Sequence, residues 1–522
     1  PHYGRGIDET LDGELTQVGQ QYRRIWFVPL TPICGSDPGQ WVHSWLDGHY
    51  VKLKQIGFPS YNTTVSLELY ATRWSVVNAK DTKGTKGLPE GTTLLSVQWP
   101  QALELVGYRG PEVMEAASKG DFVLYWRAPQ PLTRRYLASL QLVDSEGRVW
   151  AREDDPILRY LPLRRWPVGK VVYQEHEMPL PVGIPPGRYT LQVSLLPLDG
   201  DTPLSTADGK TAIPLRSLEV LPASRPIPDE EVPYSFPVRR RFGEMAELVG
   251  YRWSGREQRP GLAVLLDLYW RALRPAPVDY QLNLELIDAQ GQRRALAWFP
   301  GVVSWYPPSR WQAGEVIRAQ VALLIPADVE SGRYYLRAAL CHPQTGECLP
   351  VSRPWWRIWE HQRTALDFAE VEVRAWPYLG ELPPMQHEVQ ALLGDVAWLR
   401  GYDLEPTMAH PGETLNLTLY WQGVNPPQKM YDVFVHLLDD NGTTVAWGDA
   451  PPVNGVRPTT SWRSGEVIVD EHCIPLPPTL SSGRYTLVVG LYDPETYQRV
   501  PVTGDEDQVA LGEITIGEQS EH

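Results

Sequence analysis

The chain has 522 residues, with 48 Lys and Arg against 63 Asp and Glu, a formal net charge of −15. That balance argues against a nucleic-acid footprint, and no apolar run reaches membrane-spanning length. There is no signal peptide, and a chain beginning at Pro1 reads as a mature or excised portion of something larger. Only 9 of the 48 cations are lysine, which together with 50 prolines hints at a GC-rich or heat-adapted source.

The first eighty residues stand apart. IDETLDGELTQVGQQYRR has helical character, and RIWFVPL reads as a buried strand. Asp37 and Pro38 then supply an N-cap and first-turn proline to a short helix, GQWVHSWLDGHY, with Trp41 and Trp45 on one face. VKLKQIGF and TVSLELYA follow as strands, so a small α/β unit is expected over residues 1–85.

Beyond it, four anchors recur in one order. The first is ELVGYRG around Gly107, ELVGYRW around Gly250 and LRGYDL around Gly401. The second ends in Trp126, Trp270 and Trp421, and the third starts at Trp166, Trp311 and Trp462. The fourth reads PGRYTLQVSL, SGRYYLRAAL and SGRYTLVVGL. Successive tryptophans lie 144 and 151 residues apart at the second anchor, and 145 and 151 at the third. This spacing implies three copies of one domain, over 86–225, 226–378 and 379–522, each large enough to bury its own core.

The signals within a copy are those of strands. TLQVSL, YLRAAL and TLVVGL are rich in β-formers and poor in charge, which places them inside sheets rather than at edges. Turn residues Ser145–Gly147, Ala289–Gly291 and Asp440–Gly442 sit between apolar arms, as in hairpins. Each copy therefore reads as a seven- or eight-stranded antiparallel β-sandwich, immunoglobulin- or fibronectin-like, with Trp126, Trp270 and Trp421 in its core. The connecting segments SRPIPDEEVPYSFPVRRR and SRPWWRIWEHQRTALDF mix aromatics with charge, unlike flexible linkers. They are expected to pack on adjoining sandwiches and make the array a semi-rigid rod.

Candidate chemistry is sparse. Cys341 and Cys348 fall on opposite arms of a hairpin, where the third copy has Tyr492 and Arg499, so a cross-strand disulfide is expected. Cys34 and Cys473 have no obvious partner. Sequons at Asn62, Asn416 and Asn441 are compatible with an exposed, glycosylated location outside the cytoplasm. Glu175-His176 and Glu471-His472 occupy equivalent places in copies one and three, with Ala319-Gln320 nearby in copy two. Adjacent strand residues point to opposite faces, so neither pair reads as a metal site. His436 shares its position with Gln141 and Glu285, a polar strand face, and DDNG from Asp439 reads as a turn rather than a calcium loop. No GxSxG, HExxH or phosphate-binding glycine loop is present, and no cofactor is implied.

The segments RRIWFVPL, GQWVHSWLDGHYVKLKQIGF and VSLELYA resemble the end of the extracytoplasmic part of bacterial family 39 multi-pass glycosyltransferases, of the protein-mannosyltransferase and aminoarabinose-transferase type. In the third copy, LRGYDL, LNLTLYWQG, YDVFVHLLDDNG, SWRSGEVIVDEH and GRYTLVVGLYDPET resemble the β-sandwich appended to many such proteins. The resemblance implies a membrane enzyme using a polyprenyl-phosphate sugar, with this chain as its soluble tail and a membrane-attached portion preceding it. The family's acidic catalytic residue lies in an early loop between transmembrane helices. Asp8-Glu9 does not match that context, so no catalytic residue is carried over.

Three functional readings follow. The first is a non-catalytic extracytoplasmic module array that binds glycan or cell-wall polymer for its parent enzyme. Its support is the excess of Trp and Tyr, clustered in WFPGVVSWYPPSRW (Trp298, Trp305, Tyr306) and RPWWRIW (Trp355, Trp356, Trp359), since flat exposed rings stack on sugars. Trp355, Trp356 and Trp359 could instead glue the second copy to the segment after it. The second reading is a structural subunit of a surface layer or extracellular filament, self-associating through edge strands. The third, an enzyme, has no catalytic signature behind it.

Overall fold

The computed structural model describes residues 24–27, 46, 51–60, 63–71, 88–100, 102–157, 168–200, 202–253, 255–352, 363–503 and 506–517. Trp41, Trp45, Cys34, Asn62, Trp166, Trp355, Trp356, Trp359 and the first expected helix lie outside them. The chain divides into two compact units, residues 1–227 and 228–522.

The first unit opens with β1 (Arg24–Phe27), β2 (Val51–Ser60) and β3 (Thr63–Ala71), an antiparallel sheet of order β1-β3-β2. Of the expected Trp41 helix only Leu46 is described, and it is helical and buried. Nine strands follow: β4 (Thr93–Gln98), β5 (Glu104–Arg109), β6 (Val113–Glu115), β7 (Lys119–Arg127), β8 (Tyr136–Val143), β9 (Val149–Pro156), β10 (Val171–Pro179), β11 (Gly187–Pro197) and β12 (Ile213–Leu221). They form a sheet of order β10-β7-β5-β4 and a second of order β6-β12-β11-β8-β9.

The second unit repeats that plan twice. Its first nine strands are β13 (Phe236–Phe242), β14 (Ala246–Trp253), β15 (Glu257–Gln258), β16 (Ala263–Ala272), β17 (Gln281–Asp288), β18 (Arg293–Phe299), β19 (Val316–Leu324), β20 (Gly332–Cys341) and β21 (Leu366–Val373). The last nine are β22 (His387–Leu393), β23 (Ala397–Glu405), β24 (Met408–Ala409), β25 (Thr414–Gly423), β26 (Asp432–Leu438), β27 (Thr444–Trp447), β28 (Val467–Pro475), β29 (Gly483–Tyr492) and β30 (Val509–Ile516). The sheet orders are β13-β14-β16-β19 with β15-β21-β20-β17-β18, and β22-β23-β25-β28 with β24-β30-β29-β26-β27. The chain is thus mostly β, with tandem sandwiches. Each has nine strands rather than seven or eight, because β6, β15 and β24 add short parallel pairings to β12, β21 and β30.

The four anchors have physical causes. Gly107, Gly250 and Gly401 sit at a bulge between the same two strands, where a Cβ would press on the carbonyl oxygen of Thr93, Phe236 or His387 in the edge strand. Trp126, Trp270 and Trp421 are each fully buried, between the two sheets. Trp311 and Trp462 are also fully buried and donate their indole N–H to the carbonyls of Tyr306 (2.9 Å) and Arg457 (3.0 Å). The phrase Gly-Arg-Tyr marks a tyrosine corner. Tyr189, Tyr334 and Tyr485 donate their hydroxyls to the carbonyl four residues back, at 2.6, 3.0 and 2.9 Å.

The hairpins close by one device. The carboxylates of Asp144, Asp288 and Asp439 each accept two backbone N–H groups of the turn that follows. Gly147, Gly291 and Gly442 hold φ near the left-handed region, at 81°, 79° and 78°. DDNG is therefore a turn whose first carboxylate is already occupied. β11, β20 and β29 lie inside their sheets, as their low charge implied. The outer strands β9 (VWAREDDP) and β18 (RRALAWF) carry charge, and β27 has only four residues.

Candidate functional site

The expected disulfide is present: Cys341 and Cys348 are bonded across an antiparallel bridge, and Tyr492 and Arg499 bridge at the matching place in the third copy. Cys473 is a free, exposed thiol. Asn416 and Asn441 are exposed, as glycan attachment requires.

The aromatic segment Trp298–Trp311 divides sharply. Trp298 is open, at 61% exposure, while Trp305 is half-buried against the second core. Tyr306 does not belong to a binding surface. It is buried at 3% exposure and donates its hydroxyl to Glu315 (2.8 Å), because Gly301, at φ 61°, turns the segment back over the core. Three further rings are exposed among the described residues: Tyr378 (55%) after β21, Trp447 (63%) on β27 and Tyr497 (78%) in the β29–β30 loop, where Tyr497 stacks on Tyr492. Their sequence signal is weak: Tyr378 stands in a proline-bounded connection, Trp447 alone in a hairpin arm and Tyr497 in a polar loop.

The repeated Glu-His pairs separate by face. Glu175 and Glu471 point outward, whereas His176 and His472 are buried. Strand register matches these histidines to Val321 of the second copy, so the equivalent of the Glu-His pair is Gln320-Val321 rather than Ala319-Gln320. Two residues earlier on the same face stand Gln174, Ala319 and Asp470. Gln174 accepts the indole N–H of Trp126 at 3.0 Å, and Asp470 accepts that of Trp421 at 3.2 Å. In the second copy Ala319 offers nothing, and the Trp270 N–H has no partner among the described residues. Among the described residues no three His, Cys, Asp or Glu side chains converge as metal ligands would.

The most elaborate side-chain assembly joins the second and third sandwiches. Trp376, just after β21, lies under two guanidinium groups: Arg259 from the second sandwich at 4.3 Å and Arg457 from the third at 4.9 Å. Its indole N–H reaches the carbonyl of Pro260 (2.9 Å), and its own carbonyl accepts Arg463 (3.0 Å). Thr460 donates to the carbonyl of Gly261 (2.6 Å), and the Val467 N–H to that of Leu379 (2.7 Å). Beneath these contacts the fully buried Glu466 accepts Arg457 (2.9 Å) and Arg463. Burial alone would raise the Glu466 carboxyl, but its bonds to Arg463 and Arg457 outweigh that and hold it below its ordinary value. At the same place in the second copy Glu315 has no such cations among the described residues, and burial raises it despite bonds from Gln312 and Tyr306.

No protein-family model matches the chain, and no curated protein matches it. Among solved structures it is similar to a Corynebacterium diphtheriae protein described as membrane anchored, at 12% identity over 78% of this chain and 93% of that one. The TM-score is 0.14, too low to bear on fold, location or activity. No described helix is long and apolar enough to cross a membrane.

Proposed function

We propose that the chain is a non-catalytic extracytoplasmic β-sandwich array, the soluble tail of a membrane glycosyltransferase-like protein, which holds a glycan- or cell-surface-facing module at a fixed spacing. The observation that supports this best is the joint around Trp376. Cation–π contacts, a buried ion-paired glutamate and backbone bonds are invested in keeping two sandwiches at one angle, where a merely tethered pair would need only a flexible linker. The Cys341–Cys348 disulfide suits an oxidising compartment. Among the described residues Trp298, Tyr378, Trp447 and Tyr497 are exposed rings on which a sugar could stack.

The competing reading, a filament or surface-layer subunit, draws less support, because the outer strands β9 and β18 carry charge that discourages edge-to-edge pairing. Light scattering of the purified chain over a wide concentration range separates the two. A monomer that binds cell-wall glycan fractions fits the tail, and concentration-dependent polymers fit the filament. The intact mass of the native protein and its gene context test the membrane attachment.

A further inference from the structure

We propose that the third sandwich contains a proton-dependent latch, in which His472 and Asp470 fasten the loop 448–456 to the sheet edge and thereby the joint beyond it. His472 lies on β28 with a fully buried side chain between two oxygen atoms. Its Nδ1 is 2.9 Å from the carbonyl of Gly448, and its Nε2 is 2.9 Å from Oδ2 of Asp470. A backbone carbonyl only accepts, and an ionised carboxylate only accepts. A neutral imidazole has a single N–H, so both bonds exist together only while the ring is an imidazolium.

The other bonds to Asp470 also come from donors. Oδ2 also receives the Trp421 N–H, and Oδ1 receives the N–H of Val453 at 2.7 Å. Val453 and Asn454 both hold φ at 51°, a left-handed conformation that non-glycine residues adopt at a cost, and the Asp470 bond helps keep Val453 there. The pair thus ties the loop at two points, Gly448 and Val453.

The groups facing His472 are few. Asp470 comes from its own strand, Leu417 stands opposite on β25, and Asp449 of the loop is the other nearby carboxylate. Asp449 is itself held by the Val435 N–H (2.9 Å) and His436 (3.2 Å). Burial works against the charged ring, but the Asp470 bond and charge, the Gly448 carbonyl and Asp449 prevail, so the imidazole titrates above its ordinary 6.5. The latch is therefore at full strength below 6.5 and is lost as pH rises through the higher folded value. Loss of the proton breaks one tie and leaves the Asp470 charge buried without its counter-ion. The loop runs directly into Arg457, Thr460 and Trp462, so loosening it loosens the contacts with Trp376 and Gly261.

The other copies lack this device. The second has Ala319 and Val321 at the two positions. In the first, Gln174 replaces the carboxylate, and His176 meets Glu153 through Nδ1 while its Nε2 has no partner among the described residues.

Hydrogen exchange of the intact chain tests the proposal, with rates corrected for the intrinsic effect of pH. Between about pH 6 and about pH 9, protection of residues 448–462 should fall roughly tenfold, as expected for the loss of one charge-assisted hydrogen bond from the closed loop. The corresponding segment 299–311 of the second sandwich should stay level. The double variant His472→Val/Asp470→Ala reproduces the pair that the second sandwich carries, so it should fold, and its loop should be insensitive to pH over the same range. A level wild-type profile, an equal fall in 299–311, or a double variant that keeps the full pH response would each overturn the latch.

Discussion

Thr460 donates its hydroxyl to the carbonyl of Gly261 at 2.6 Å, across 199 residues of chain and from one sandwich to the next. Both residues are specialised for that approach. Thr460 is buried, and Gly261 adopts φ +83°, where a Cβ would collide with the backbone of Ser461. Gly261→Ala should therefore part the second and third sandwiches without unfolding either, at about 1–2 kcal/mol for the left-handed backbone plus the lost contact. Calorimetry should show the transition of the second unit splitting or broadening. An unchanged single transition would place the coupling elsewhere.

The core tryptophans make a matched pair of experiments. Trp421 donates to the buried Asp470, whereas the Trp270 N–H has no partner among the described residues. Replacement by Phe removes similar volume from both but a charge-assisted bond only from Trp421. Trp421→Phe should cost more than Trp270→Phe by about 1.5–3 kcal/mol in denaturant unfolding. Truncation to Ala should cost about 3–5 kcal/mol at either site, since each ring fills its core.

Acid should weaken the joint through Glu466. Its folded value lies below the ordinary 4.5, so its contribution is present above 4.5 and disappears as pH falls through the folded value. Melting temperature measured down into the acid range should drop more steeply in the wild type than in Glu466→Gln, which has already lost the charge. Parallel curves would remove Glu466 from the joint's energetics.

The Cys341–Cys348 bond closes a short loop, so its removal should be tolerated. Replacing both residues by Ser is expected to cost about 2–3 kcal/mol, the entropy of a loop of this length. Denaturant midpoints with and without reductant provide the check, and a chain that fails to fold when reduced would contradict this.

The sequence carried the parts of this architecture that repeat. The bulge glycines, buried tryptophans, tyrosine corners and Asp-closed turns each recur three times because each solves one local problem of the sandwich. The Cys341–Cys348 pair was legible because Tyr492 and Arg499 replace both members at once. What stayed hidden was short or distant. β15 and β24 have two residues each, too few to show a period. Asp470 and His472 act as a pair at i, i+2 on one strand face, while the adjacent Glu471-His472 attracted notice because it is repeated. Tyr306 looked like part of an aromatic surface until the turn at Gly301 folded it inward. Trp376 stands in a short proline-containing connection, and its partners Arg259 and Arg457 are far away in the chain.

The contacts around Trp376 hold the second and third sandwiches at one angle. The most direct test is the distribution of distances between spin labels at the exposed hairpin positions Gln290 and Asp440, with Cys34 and Cys473 replaced by Ser. A single narrow distribution, broadened by Trp376→Ala, is the predicted result. A broad distribution in the unaltered joint, or one indifferent to Trp376, would contradict it.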